Sequence, residues 1–230
     1  MADVESGNIV GYSTFQLAAG QQDLAAAPFV SVGTKSIGIQ SVTLSDPTDA
    51  ADWIKIYNPL TGKYEKSIYF DEIYETLESE DSMGSGWGDD EGTAMTTEIE
   101  PGQGFWMWSK KANTVTVAGE VLAATDNKVT TTAGAQDILA CVFPVATDIQ
   151  KIKLSDATDA ADWIKVYNPT SGKYEKAIYF DEIYETLESE DSMGSGWGDD
   201  EGTAMNVTIQ PGQGFWMWTK KANTVTFDTL

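Results

Sequence analysis

The sequence predicts a mostly β protein, arranged as two tandem homologous domains of β-sandwich or barrel-like type with a short acidic helix in each. Three observations lead there. Ser45 to Val117 returns as Ser155 to Phe227, displaced by 110 positions, and within that span the 28 residues Ile68 to Met95 recur unchanged as Ile178 to Met205. Short runs of alternating apolar and polar residues are separated by turns containing Gly and Pro, the pattern of an all-β domain. One stretch per repeat abandons alternation for the three-and-four spacing of a helix face. A length of 230 residues suits two domains, and the repeat sets their bounds at 1–118 and 119–230.

Each repeat opens on an expected strand, Ile9 to Leu17 in the first and Val121 to Val129 in the second, ended by Gly20 and Gly134. A second apolar run follows, Leu24 to Val32 and Ile138 to Val145. Trp53 to Tyr57 and Lys63 to Ile68 flank Asn58-Pro59-Leu60-Thr61-Gly62, and turn chemistry between two alternating runs predicts a hairpin. Phe70, Ile73, Tyr74 and Leu77 then share one helical face, with Asp71, Glu72, Glu75 and Glu78 on the other. Gly84, Gly86 and Gly88 end that helix. Strands at Thr93 to Ile99, Phe105 to Ser109 and Thr114 to Val117 close the repeat, and the last runs through Ala118-Gly119 into Val121 with no flexible linker. The two repeats should therefore be stiffly joined.

Composition excludes several functions. All 14 basic residues are Lys, and 36 carboxylates leave a net charge of -22. Nucleic acid would be repelled by that field, and Arg contacts to guanine are unavailable. Without His, the Ser/His/Asp and Cys/His nucleophile systems and imidazole zinc sites are also excluded. The lone Cys141 lies in an apolar run, aligned with Ala27 of the first repeat, and reads as a small buried filler. No run of residues approaches a membrane span, and Met-Ala-Asp-Val-Glu lacks the regions of a signal peptide. An exported protein would then be read here without its leader.

Binding chemistry concentrates in aromatics and carboxylates. Phe105-Trp106-Met107-Trp108, repeated at Phe215 to Trp218, is apolar on both faces of its strand, so one face fills a core and the other needs a cover. Trp53, Trp87, Trp106, Trp108, Trp163, Trp197, Trp216 and Trp218 are accordingly the interface or ligand candidates. Between Asp71 and Glu91 stand nine carboxylates and no Lys, repeated from Asp181 to Glu201. Such crowding is relieved either by solvent or by a hard cation such as Ca2+, for which Asp89, Asp90 and Glu91, with Asp199, Asp200 and Glu201, are the first-choice ligands. The spacing does not match an EF-hand. No pair of carboxylates stands out as a general acid and base, so no catalytic residue is expected.

The motif order Val10-Gly11-Tyr12, Trp53 to Tyr64, Gly86-Trp87 and Pro101-Gly102-Gln103-Gly104-Phe105-Trp106 resembles secreted bacterial β-domain repeat proteins with GY, GW and PGQGFW punctuation. That resemblance implies export to the cell surface or exterior and a β-rich fold, and carries over no catalytic residue. Two expectations remain open. In the first, the protein is a non-enzymatic structural protein that assembles with itself head to tail into a filament or surface layer, its N-terminal and C-terminal segments at the contact. In the second, it is a tandem carbohydrate-binding module whose indoles stack on sugar rings, with duplication supplying avidity.

Overall fold

A computed structural model describes residues 10–58, 62–123, 126–168, 171–189 and 191–228. They are mostly β. Strands β1 (Val10–Leu17), β2 (Gln22–Ala26), β3 (Ile37–Gly38), β4 (Val42–Leu44), β5 (Trp53–Asn58), β6 (Lys63–Phe70), β7 (Gly86–Gly88), β8 (Glu98–Ile99), β9 (Gly104–Trp108) and β10 (Asn113–Glu120) come first. The second series is β11 (Lys128–Thr130), β12 (Gln136–Ala140), β13 (Thr147–Asp148), β14 (Ile152–Leu154), β15 (Trp163–Asn168), β16 (Lys173–Phe180), β17 (Gly196–Gly198), β18 (Thr208–Ile209), β19 (Gly214–Trp218) and β20 (Thr224–Phe227). Each series builds a five-stranded sheet, ordered β2-β9-β5-β6-β7 and β12-β19-β15-β16-β17. A three-stranded sheet accompanies each, β1-β10-β4 and β11-β20-β14, with the small pairs β3-β8 and β13-β18.

The residues cluster into two compact units. One contains 10–23, Ala27–Pro101 and Trp106–Ala123, and the other Leu24–Ala26, Gly102–Phe105 and 126–228. Inside the second unit the Ala26 N–H donates to Gly212 O and the Ala140 N–H to Gly102 O, both at 2.8 Å. These backbones approach so closely that a Cβ on Gly104 would lie 2.8 Å from Leu139 O, and one on Gly214 2.8 Å from Ala25 O. Only glycine fits there, which accounts for the second Gly of each Pro-Gly-Gln-Gly motif.

The five-stranded and three-stranded sheets of the first unit share a core, an arrangement compatible with a β-sandwich. Ile54, Ile56 and Met107 from one sheet and Leu17, Val42, Val115 and Val117 from the other are all buried. Trp87 of β7 ties the sheets together, because its indole Nε1 donates to Val42 O at 2.7 Å. Burying an indole removes roughly 150–250 Å² from water, about 4–6 kcal/mol of hydrophobic stabilisation, and the hydrogen bond prevents a polar penalty. Trp197 does the same with Ile152 O at 2.9 Å.

The predicted hairpin is present. β5 pairs antiparallel with β6 from Trp53 opposite Ile68 to Asn58 opposite Lys63, although Pro59 to Thr61 of its turn lie outside the described residues. Gly62 has φ +67, the left-handed value that favours glycine in such a turn.

Three expectations are corrected. The acidic helix is absent: residues 71–85 form turns and bridges, with Ile73 N–H donating to Gly84 O and Met83 N–H to Ile73 O, both 2.8 Å. Tyr74 bridges both Ser82 and Thr93. Nucleating a two-turn helix is costly, and here the backbone finds tertiary partners that a helix would forfeit. Of the strand expected from Val121 to Val129, Ala124 and Thr125 lie outside the described residues, and among the described ones the strand is Lys128–Thr130, paired with three residues of β20 where β1 pairs with eight of β10. Likewise, Thr93 to Ile99 contributes only the two-residue β8, with isolated bridges at Thr93 and Ala94.

Candidate functional site

Alternation on β5 sends Ile54 and Ile56 into the core and leaves Trp53, Lys55 and Tyr57 on the opposite face. Antiparallel register then fixes what stands beside them, since directly opposed residues share a face. Trp53 lies between Trp108 of β9 and Ile68 of β6. Lys55 lies between Trp106 and Lys66, and Tyr57 opposite Tyr64. The outer face is thus a grid of three aromatic rows interrupted by two lysines, with no carboxylate at any of these eight positions. In the second unit Trp218, Trp163 and Ile178 form the first row, Trp216, Lys165 and Lys176 the second, and Tyr167 and Tyr174 the third.

The rings pack against each other. Trp53 and Trp108 are parallel to within 10°, with centroids 6.4 Å apart, and Lys55 Nζ sits 4.8 Å from the Trp53 centroid. Tyr57 and Tyr64 meet edge to face at 5.4 Å, as do Tyr167 and Tyr174. Lys165 Nζ lies 5.2 Å from Trp163. These contacts hold the aromatics in defined orientations while leaving Trp53, Trp106 and Trp108 half-buried and Tyr57 and Tyr64 exposed. On the second unit Gln136, Trp163, Lys165, Tyr174 and Trp216 line an open depression of about 220 Å³.

Lys55 and Lys66 are directly opposed on one face, as are Lys165 and Lys176. Like charges in that relationship repel, and sheets normally avoid it. Among the described residues the ion pairs are Lys111 with Asp46 at 2.8 Å and Lys221 with Asp156 at 2.7 Å, so none of the four opposed lysines has a carboxylate partner there. Sequence reasoning named the tryptophans but missed these lysines. The signal available was alternation: Lys55 shares a face with Trp53 by its spacing of two.

Of the eight expected aromatics, the structure brings Trp53, Trp106 and Trp108 together on one outer face and Trp163, Trp216 and Trp218 on the other. Trp87 and Trp197 are corrected. They are 1% and 0% exposed, interior residues unable to meet a partner.

The carboxylate-rich loop leaves Asp71, Glu72, Glu75, Glu78, Glu80, Asp81, Asp90 and Glu91 exposed. Asp89 is instead a turn residue, its Oδ1 accepting from the N–H groups of Glu91 and Thr93 at 2.9 Å. Asp199 repeats this with Glu201 and Thr203 at 3.0 and 2.9 Å. Among the described residues no cluster of three or more carboxylate or thiol groups is placed to hold a metal ion. The expected Ca2+ ligands Asp89, Asp90 and Glu91, and Asp199, Asp200 and Glu201, therefore do not assemble into such a site. Tyr74 Oη donates to Glu72 at 3.1 Å, and this hydrogen bond with the adjacent negative charge holds the phenol above its ordinary range. Beside the second loop, Tyr184, Leu187, Ser189, Glu201, Gly202 and Thr203 line an open depression of about 330 Å³.

Among the described residues no helix is long and apolar enough to cross a membrane. The terminal segments expected at a head-to-tail contact, Met1 to Ile9 and Thr229 to Leu230, lie outside the described residues. No family model, curated protein or solved structure matches the chain.

Proposed function

We propose that this chain is a non-enzymatic structural protein of the bacterial exterior that assembles with copies of itself, using the outer faces of its two five-stranded sheets. One observation carries this reading. The same arrangement of Trp, Tyr, Ile and Lys stands on the outer face of both sheets, in a chain where carboxylates outnumber lysines 36 to 14. Partly exposed aromatics on a sheet face suit a surface that another protein covers, since buried Trp and Tyr dominate association energies. Two equivalent faces on one chain let each copy engage more than one neighbour, and a contact that does not close on itself propagates.

Sedimentation velocity over a concentration series, with negative-stain imaging of the same samples, tests the assignment. Growth of filaments, sheets or large oligomers with concentration is the expected outcome. A monomer throughout the series overturns it.

The depression beside Trp163 and Trp216 favours a second reading, a tandem carbohydrate-binding module. Indole and phenol rings can stack on the C–H faces of a sugar while Gln136 and Lys165 hydrogen-bond its hydroxyls. Retardation on polysaccharide affinity gels, lost in a Trp163→Ala, Trp216→Ala variant that remains folded, is its signature.

A further inference from the structure

We propose that the outer sheet face of one copy docks the acidic loop, residues 71–91 or 181–201, of another copy. This names the partner surface within the self-assembly proposed above and rests on that reading.

Four observations meet here. First, Lys55 and Lys66 are opposed like charges on an outer sheet face, as are Lys165 and Lys176, and no carboxylate among the described residues lies within ion-pair reach of any of them. An arrangement that costs stability in isolation becomes favourable when an anion from outside bridges the two ammonium groups. Second, the loop supplies that anion in quantity, because eight of the nine carboxylates in residues 71–91 are exposed and none is paired with Lys among the described residues. Third, the loop also carries apolar groups in solvent: Leu77 is 66% exposed and Met83 62%. Their natural counterparts are the rings flanking the lysines, Trp53 and Trp106 on one unit and Trp163 and Trp216 on the other, so charge and apolar surface match together. Fourth, the 28-residue block holding the loop is identical in both repeats, and so are all eight residues of the grid. A chain therefore bears two copies of each half of the contact.

Because the face and the loop are different surfaces, the contact is heterologous and can extend without limit. It would also let molecules of net charge -22 associate, because each contact places loop carboxylates against lysines that have no ion-pair partner among the described residues.

The test uses the full chain and complementary charge reversals. The face variant carries Lys55→Glu, Lys66→Glu, Lys165→Glu and Lys176→Glu; the loop variant carries Glu75→Lys, Glu78→Lys, Glu185→Lys and Glu188→Lys. Six of the eight positions are exposed and Lys55 and Lys165 are half-buried, and a thermal melt at low protein concentration confirms that each variant folds. Should the face variant not fold, Lys→Gln changes at the same four sites replace it. Each variant alone is expected to raise the concentration for half-assembly by about tenfold or more, and an equimolar mixture of the two charge-reversed variants to restore assembly, whereas the Lys→Gln variant is read by its own loss alone. Wild-type assembly that neither variant changes overturns this contact and leaves self-assembly standing. Wild-type chain that stays monomeric at every concentration overturns both. If the face variant loses polysaccharide retention while the wild type never self-associates, the face belongs to a sugar ligand and the contact is likewise overturned.

Discussion

The side-chain amide of Gln40 closes on the backbone of Trp87 as a neighbouring strand would. Its Oε1 accepts the Trp87 N–H at 2.9 Å, and its Nε2 donates to Trp87 O at 2.7 Å and to Met95 O at 2.9 Å. β7 is the last strand of its sheet, and the glutamine completes the cover of an edge where the Met95 N–H already donates to Trp87 O at 2.9 Å, leaving little open backbone for another chain. Gln150 holds Trp197 and Met205 in the same way at 3.0, 2.6 and 2.7 Å.

Replacing Gln40 with Leu keeps the volume and removes all three bonds. The loss should cost about 2–4 kcal/mol, since the Trp87 N–H and Met95 O lose their amide partner while Trp87 O keeps the Met95 N–H. Urea denaturation followed by tryptophan fluorescence checks this, with a midpoint equal to wild type as the contrary result.

Gly86 sits against that same amide. A Cβ there would lie 2.5 Å from Gln40 Oε1 and 2.7 Å from Ile73 Cδ1. Gly20, by contrast, has φ +68 and open space around its missing Cβ. Gly86→Ala should therefore destabilise by more than Gly20→Ala, for which only the left-handed backbone cost of about 1–2 kcal/mol applies. Chemical denaturation of the two variants side by side decides the order.

Ala50 adopts φ 51, a left-handed conformation held by its N–H donating to Tyr69 O at 2.8 Å, and Ala160 repeats it with Tyr179. Ala50→Gly removes the Cβ that makes this backbone unfavourable. An increase in stability of about 0.5–1 kcal/mol is expected, offset in part by the freer unfolded chain. A raised melting temperature in calorimetry supports the strain, and a lowered one contradicts it.

Burial pushes the Cys141 thiol up from 9.0 to about 12. The folded state therefore keeps a proton that the unfolded state releases, and between those two values unfolding is increasingly favoured as pH rises. Cys141's contribution should be complete below about pH 9 and decline toward pH 12. Subtracting the stability of Cys141→Ala from that of wild type at each pH isolates this term from Tyr and Lys titration. A pH-independent difference over that window contradicts it. The same burial should make alkylation of native protein slow at neutral pH and rapid once urea unfolds it.

The repeat, the β class and the hairpin were legible in the sequence because they depend on local quantities. Period-two alternation and turn residues such as Gly62 act within a few positions of one another. The helix read at Phe70 to Leu77 shows where locality ends. Ile73 and Leu77 have helical spacing, yet Ile73 is buried beside Gly86 while Leu77 lies in solvent. Spacing reports that a segment is able to form a helix, whereas the competing backbone partners, Gly84 for Ile73 and Gly92 for Tyr74, lie beyond the reach of one helical turn.

The sequence by itself determined the duplication, the acidity, the lack of His and Arg, and the alternation that puts Trp53 and Lys55 on one side of a strand. Only the tertiary structure decided which tryptophans are interior and that Lys55 faces Lys66. A strand's two sides are equivalent until a second sheet covers one of them. Registers, too, join residues far apart in sequence, and no short-range pattern encodes which strand lies alongside.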